Sequence, residues 1–286
     1  MKLATFNIAW LGGDKIDRTE DDNKLIARVI AKLDADVVVF QEIVSPKVLQ
    51  EITDLASGMT SRSYKLHDKA NQLLGVGKEK DQKVVIAYDD RICELIAATT
   101  ILGGIGRLPF GVRIQNVASE GGVLVVGVHF QSGYPNFTDQ DDAEKRKKQC
   151  QHLADWIAGQ KVALNPVFPM PLPEEQVVIM GDFNALYDSN EPAYAGVVAS
   201  LNPLREGHMA EWWWEKPLAD PSGGDRSTSY LERLLIDFVM LSPSLKERII
   251  RPPTIYAFDH DPDIGVADER VSDHRPVFVE VDIDKP

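Results

Sequence analysis

The chain has 286 residues, which is enough to bury a large core in one large domain or two ordinary ones. Its composition is that of a soluble globular protein, and no run of about 18 apolar residues is present, so we expect no membrane span. The formal net charge of -13 disfavours loose, charge-driven binding to nucleic acid or anionic lipid.

The first residues and the cysteines indicate the compartment. Met1 leads directly into a strand-like segment with no signal peptide before it, which predicts a cytoplasmic protein unless a leader has been removed. The two cysteines, Cys93 and Cys150, have no metal-ligand spacing and indicate no disulfide framework. We expect a single domain over residues 1–286, since no linker or short repeat divides the chain, and we expect a monomer.

Strands and helices alternate in the first part of the chain. Its apolar patterns predict buried strands over 2–8 and 37–40, and helices over 23–33 and 47–56, the second helix beginning after Pro46.

The middle of the chain has the pattern of β-hairpins. The expected strand pairs are 83–88 with 91–97, and 112–117 with 123–130. The first hairpin would turn at Asp89-Asp90 and the second at Glu120-Gly121-Gly122.

A long helix and three more strands complete the predicted elements. The helix is expected over about 139–161 with Thr138 as its cap, and its basic run at 145–148 is interpreted as a solvated face. After it we expect a Pro-rich connection at 165–173, a buried strand at 176–180, an irregular stretch at 186–233, strands at 234–241 and 277–281, and a polar loop at 252–270 between these two strands. The pattern as a whole predicts two packed mixed sheets with helices outside.

Polar groups stand at the carboxyl ends of four predicted strands. They are Asn7, Glu42, Asp182 with Asn184, and Asp273 with His274. Taken one at a time, each could be an ordinary turn residue. Together, at the edge where open α/β sheets place their sites, they form a set of oxygen ligands without cysteine. Such a set favours Mg²⁺ or Mn²⁺ over zinc.

Six short motifs occur in an order that resembles the endonuclease/exonuclease/phosphatase family, part of the deoxyribonuclease I-like superfamily, over essentially the whole chain. They are Leu3-Ala4-Thr5-Phe6-Asn7-Ile8, Phe40-Gln41-Glu42, Val128-His129-Phe130-Gln131-Ser132, Gly181-Asp182-Phe183-Asn184-Ala185, Ile236-Asp237-Phe238-Val239 and Ser272-Asp273-His274-Arg275-Pro276. The resemblance implies a four-layered α/β sandwich, in which two packed mixed β-sheets are flanked by helices. It also implies an Mg²⁺-dependent hydrolase acting on phosphoester bonds, in which Mn²⁺ could replace Mg²⁺.

The resemblance implies metal and catalytic roles for particular residues. Glu42 matches the principal Mg²⁺ ligand, with Asn7 and Asp273 beside it. Asp182 matches the carboxylate that orients or deprotonates the attacking water, and Asn184 the amide that holds a phosphate oxygen.

Further residues match groups that contact the phosphate. His274 matches the histidine at the scissile phosphate, and Asp237 the acid paired with it. His129 matches a second histidine, whose partner in the family's nuclease branch is a glutamate; Gln82 stands in that place here. The segment Gly106-Arg107-Leu108-Pro109 resembles the family's arginine-plus-proline segment, which implies that Arg107 is a phosphate clamp.

The sequence leaves the substrate open between three hypotheses. A nuclease-type phosphodiesterase for single strands, strand ends or short oligonucleotides comes first, because the stretch 43–45 after the metal glutamate lacks the basic wedge used to open duplex DNA. A phosphatase or phosphodiesterase for a small or lipid-linked phosphate ester is the alternative. A non-catalytic binding module of the same fold is the third.

Overall fold

The computed structural model describes the fold on both sides of several gaps in the chain. The described residues are 1–67, 82–101, 107–119, 121–133, 136–159, 175–221, 225–229, 233–264 and 270–284. The Pro-rich connection expected at 165–173 therefore lies outside the described residues.

One sheet has six strands. Its strands are β1 (Lys2–Leu11), β2 (Val37–Ile43), β3 (Tyr64–His67), β4 (Lys83–Asp89), β10 (Ile249–Ile255) and β11 (Val277–Val281), in the order β10-β11-β1-β2-β4-β3. β1 and β2 are parallel, and the other pairs are antiparallel. The polar ends of β1 and β2 therefore lie side by side.

The other sheet has five strands. Its strands are β5 (Cys93–Thr100), β6 (Phe110–Asn116), β7 (Gly122–His129), β8 (Val177–Asp182) and β9 (Asp237–Leu241), in that order across the sheet. β7 and β8 are parallel and place His129 opposite Asp182, while antiparallel β9 places Asp237 on the other side of Asp182. Three predicted site residues thus become neighbours by register alone.

The three long helices begin at side-chain caps. The helices of the described residues are α1 (Glu20–Leu33), α2 (Pro46–Met59), α3 (Gln140–Ile157), α4 (Ala195–Ala199) and α5 (Pro243–Lys246). Thr19 forms a capping box with Asp22 at α1, and Ser45 caps α2 just before Pro46. At α3 the cap is Asp139 and not the predicted Thr138, since the Asp139 carboxylate accepts the first free backbone N–H groups.

Three hydrophobic clusters separate the layers. Because strand side chains alternate between faces, Val38 contributes to a cluster beneath α1 and α2, while Val39 contributes to one between the two sheets. Ile179 in β8 belongs to a third cluster beneath α3. The order is helix, sheet, sheet, helix, which confirms the predicted four-layered sandwich.

The predicted hairpin over 83–97 is wrong, because its two strands lie in different sheets. β4 pairs with β2 and β3, and the chain then crosses to β5 at the edge of the other sheet. The crossing is held at Asp89, which is buried and accepts hydrogen bonds from Arg91 Nε at 3.0 Å and Nη2 at 2.8 Å. The second predicted hairpin, β6 with β7, is confirmed.

Two further predictions fail locally. Part of the expected loop at 252–270 is the edge strand β10, which tolerates Pro252 and Pro253 because an edge strand leaves one side of its backbone unpaired. Arg146, in the run interpreted as a solvated face, is fully buried, with Nη1 donating to Gln131 O at 2.6 Å. Helical periodicity turns this one member of the run inward.

The stretch expected to be irregular, 186–233, has only short elements among its described residues. These are three 3₁₀ turns, Pro192–Tyr194, Asn202–Leu204 and Gly207–Met209, and α4. Within the described residues, no helix combines the length and apolar character that crossing a bilayer requires.

Gly181 supplies a testable constraint at the end of β8. Its φ is 147°, and a Cβ added there would lie 2.0 Å from the Val128 carbonyl oxygen of β7. We expect Gly181→Ala to lower the free energy of unfolding by at least about 2 kcal/mol, measured by urea denaturation.

Gly58 is the matched control for this substitution, because it lies in α2 with no atom within 4 Å of an added Cβ. Gly58→Ala should be neutral or stabilising by about 0.5–1 kcal/mol. Equal effects of the two substitutions would contradict the close approach of β7 and β8.

Candidate functional site

The predicted site residues meet where strands from both sheets end. Asn7 and Glu42 come from β1 and β2 of the six-stranded sheet, and His129 and Asp182 are the last residues of β7 and β8 in the other sheet. Asp237 begins β9 beside Asp182. The site is therefore built at the seam between the two sheets.

Asn7 joins the two sheets through its side chain. Its Nδ2 donates to Glu42 Oε1 at 3.2 Å and to Asp182 Oδ2 at 3.1 Å. Since carboxylates only accept, these two bonds fix the orientation of the amide. Its Oδ1 is buried and has no hydrogen-bond partner, so it is available to a ligand such as a cation.

Asp182 is a buried carboxylate held on both oxygens. Oδ1 accepts from the Asn184 backbone N–H at 2.8 Å, and Oδ2 accepts from Asn7. Burial, followed by the negative charge of Asp237, raises the pKa of Asp182 to about 7. A carboxylate with such a pKa can exchange a proton near neutral pH.

Asn184 turns the chain back under the end of β8. Its φ is 49°, the left-handed conformation that asparagine tolerates better than most residues. Its Nδ2 donates to Phe130 O at 3.1 Å, which uses one of the two N–H donors of the amide. The second donor remains for a ligand oxygen.

Asp237 forms a hydrogen bond with His274. Such a partner was expected, because a buried acid in an apolar strand is costly without one. His274 Nδ1 lies 2.8 Å from Asp237 Oδ2, and both side chains are buried. Burial alone would lower the pKa of His274, but the charges of Asp237, Asp273 and Asp182 outweigh it and raise that pKa well above its ordinary value. These charges favour the imidazolium form of the ring, and because the Asp237 carboxylate accepts, Nδ1–H is the donor of this contact.

His129 has the opposite protonation state. Burial, then the positive charges of Arg107 and His274, hold its pKa well below the ordinary value. Arg107 Nη1 lies 2.6 Å from His129 Nε2, and because a guanidinium only donates, that nitrogen is the acceptor of a neutral ring. The distances of 3.7 Å to Glu42 and 3.6 Å to Asp182 are therefore not ion pairs.

Gln82 contacts the metal-ligand candidate and the arginine at once. Its Nε2 donates to Glu42 Oε2, and its Oε1 accepts from Arg107 Nη2. The sequence interpretation placed Gln82 where related nucleases have the carboxylate partner of the histidine that His129 matches. In the structure Gln82 is linked to His129 indirectly, because Arg107 contacts both side chains. Arg107 forms no ion pair with a carboxylate of the described residues, so its charge is available to an anion.

The donor set fits a hard divalent cation. Among the described residues, two groups bring single ligand atoms within 4.8 Å of one another: Glu42 with His129 and Asp182, and Asp182 with Asp237 and His274. The unpartnered Asn7 Oδ1 adds a neutral oxygen. Asp273 lies in neither group; its Oδ1 is 4.0 Å from His274 Nε2 at the more exposed rim.

Three supporting residues were missed by the sequence interpretation. Gln149 Oε1 accepts from Gln131 N at 2.8 Å and, with Arg146, fixes the segment that follows His129. Arg18 lies near Glu42 and Asp273, whose negative charges act to raise its pKa against the larger effect of burial. Its Nη1 is buried without a hydrogen-bond partner. Periodicity along α3 would have identified the first two, whereas Arg18 carries no local signal.

Comparisons with known proteins bear on the family and the fold. The model of the endonuclease/exonuclease/phosphatase family matches residues 4–274. No curated protein sequence is similar enough to match. A structure of a functionally unknown conserved protein from Enterococcus faecalis V583 is 15% identical with a TM-score of 0.62, covering 99% of each chain.

Two further solved structures share the fold at low identity. The human Nocturnin catalytic domain with bound sulfate anion is 13% identical with a TM-score of 0.60, covering 98% of this chain and 93% of that one. D. rerio TDP2 complexed with single strand DNA product is 15% identical with a TM-score of 0.62, covering 98% and 97%.

The contacts of Gln82 generate a prediction about ion binding. Gln82→Ala removes the amide that orients Glu42 and Arg107, and losing such an outer partner typically costs about 10–100-fold in metal affinity. We expect that loss in Mn²⁺ titrations by calorimetry. Gln151→Ala, on the exposed face of α3, is the control. Unchanged Mn²⁺ affinity in Gln82→Ala would show that the amide does not orient the ligand.

Proposed function

We propose that this chain, which belongs to the endonuclease/exonuclease/phosphatase family, is a divalent-metal-dependent phosphodiesterase acting on single-stranded nucleic acid or short oligonucleotides. One observation carries the proposal. The Asp182 carboxylate, with a pKa raised to about 7, accepts a hydrogen bond from Asn7, which also donates to Glu42, and one of its oxygens lies within 4.8 Å of a ring nitrogen of His274, whose pKa is raised well above its ordinary value. A candidate proton acceptor (Asp182), a candidate hydrogen-bond donor (His274) and the proposed cation ligands (Glu42 and Asn7) thus belong to one site.

Glu42 and the Asn7 side-chain oxygen would hold the ion, with Asp273 as the third proposed ligand. Magnesium fits this set of hard oxygens, and Mn²⁺ is the expected substitute. When bound, the ion neutralises phosphate oxygens and lowers the pKa of a bound water.

Asp182 is the proposed base that orients the attacking water and takes its proton. Its Oδ1 accepts from the Asn184 backbone and its Oδ2 from Asn7, and these two hydrogen bonds restrict rotation of the carboxylate. Because the carboxylate is already oriented, it does not need to reorient before the proton is transferred.

His274 is the proposed donor to the phosphoryl oxygen on which charge builds. Asp237 fixes the Nδ1–H of the ring at 2.8 Å, which leaves Nε2–H for the substrate. A preorganised donor of this kind stabilises the transition state more than the bound substrate.

Arg107 and the Asn184 amide are the proposed holders of the remaining phosphate oxygens. His129 is expected to be neutral, so its proposed role is to hold Arg107 in place through Nε2, and the hydrogen bond from a protonated ring to the phosphoryl oxygen is assigned to His274 alone.

The choice of single strands rests on charge and on missing duplex-reading residues. The chain carries a net charge of -13, and residues 43–45 after Glu42 are Ile-Val-Ser, without a basic group to enter a groove. A relative of the same fold is complexed with a single strand DNA product, which supports the same class.

Removal of metal tests the class of reaction. We expect EDTA to abolish hydrolysis and Mg²⁺ or Mn²⁺ to restore it, and we expect Glu42→Gln to raise the metal concentration needed while the urea midpoint stays near the wild-type value. The substrates are plasmid, single-stranded DNA, RNA, bis-p-nitrophenyl phosphate and p-nitrophenyl phosphate. Undiminished activity in EDTA would remove the mechanism, and preference for the monoester would favour the phosphatase alternative.

The Asp237–His274 pair generates a kinetic prediction. His274→Ala should lower kcat by at least about 100-fold, since it removes a preorganised donor, while the protein stays folded. Asp237→Asn should act on the same step, so the double variant should lose far less than the product of the two losses. His260→Ala, with an exposed ring, is the control. A strictly multiplicative double variant would leave His274 acting without Asp237.

A further inference from the structure

We infer that Trp10 forms a stacking subsite for a nucleobase beside the proposed metal ligands, an inference that rests on the proposed phosphodiesterase function. The chain has five tryptophans. Four of them pack in the hydrophobic clusters: Trp156, Trp212, Trp213 and Trp214. Trp10 belongs to none of the three clusters, so its indole has no role in the described cores.

The backbone brings Trp10 to the site by an irregularity in β1. The pairing of β1 with β2 shifts register between Asn7 and Leu11, and Trp10 has a φ of 54°. A bulky aromatic residue rarely adopts this left-handed conformation, and such strain concentrates at ligand sites. The Trp10 backbone N–H donates to Glu42 Oε2 at 3.3 Å, so the side chain leaves the backbone immediately beside that carboxylate.

A lysine lies over the ring of Trp10. Lys15 Nζ is 3.5 Å from the ring centroid, and Lys15 itself is exposed. Gly13 lies close to the same ring, since a Cβ added to it would be 3.5 Å from Trp10 Cε3, and its N–H donates to Trp10 O at 2.9 Å. The ring thus carries a cation that belongs to an exposed side chain.

A nucleobase matches this arrangement better than other groups. Bases stack on aromatic rings without regard to sequence, and an exposed lysine is weakly held and can leave the ring. When a base replaces the ammonium over the ring, Lys15 can follow the phosphate backbone of the same strand. The subsite therefore holds a base without regard to its identity, close to the proposed metal ligand Glu42, and its ligand is a single strand with unpaired bases.

The test compares two ligands that differ only in their bases. Binding of dye-labelled hexathymidylate and of a labelled hexamer of abasic deoxyribose phosphates is measured by fluorescence anisotropy in EDTA. The wild-type protein should prefer hexathymidylate by about tenfold, because base stacking is lost in the abasic strand. Trp10→Ala should reduce this preference to less than about twofold, and Trp10→Phe should retain most of it. Val117→Ala, at an exposed residue outside the site, should leave it unchanged.

Failure of the subsite and failure of the proposed function give different results. Equal affinity of the wild-type protein for both strands, including no measurable binding of either, overturns the subsite, as does an unchanged preference in Trp10→Ala. If the wild-type protein meanwhile hydrolyses bis-p-nitrophenyl phosphate with Mn²⁺, the proposed function stands without it. A base preference that is lost in Trp10→Ala, without hydrolysis of any phosphodiester, keeps the nucleobase site and refutes the phosphodiesterase.

Discussion

The site depends on one amide that ties two sheets together. Asn7 Nδ2 donates to Glu42 from the six-stranded sheet and to Asp182 from the five-stranded sheet. The two carboxylates would otherwise repel each other across the seam, and each is costly to bury without a partner. The same amide leaves its oxygen buried and unpartnered, so the group that is bonded to both acids also has an oxygen available to the proposed cation.

Around this amide, burial and the neighbouring charges together shift the pKa values of the titratable groups. Burial and the charge of Asp237 raise the pKa of Asp182 to about 7, while three carboxylates outweigh burial at His274 and raise its pKa well above the ordinary value. Burial of the His129 ring, followed by the positive charge of Arg107, holds the pKa of His129 well below the ordinary value. The pKa values of the two histidines are therefore shifted in opposite directions because their immediate partners differ: a carboxylate for His274 and a guanidinium for His129. The proposed roles of His274 as hydrogen-bond donor and Asp182 as base follow from these environments.

Sequence patterns predicted most strands and identified the strand ends that meet at the candidate site. They failed where tertiary contacts determine which strands pair and which backbone conformation a residue adopts. The contact of Asp237 with His274 could be predicted because an acid within an apolar strand requires a partner. The strand through Pro252 was missed because proline is tolerated only at a sheet edge, and edges are set by topology that no local pattern records. For the same reason the crossing at Asp89 was mistaken for a hairpin. Trp10 was not singled out from the sequence. Its left-handed backbone accompanies a register shift in the pairing of β1 with β2, and no local pattern indicates that shift.

The most direct test of the account is the position of a bound cation. Crystals soaked in Mn²⁺ and measured at the manganese absorption edge would locate the ion by its anomalous scattering, independently of any substrate. The account predicts a peak bonded to the Glu42 carboxylate and to the Asn7 side-chain oxygen, with the Asn7 amide nitrogen still donating to Asp182. A fully soaked crystal with no peak at Glu42, or with Asn7 turned so that its nitrogen faces the ion, would contradict the claim that this amide organises the site.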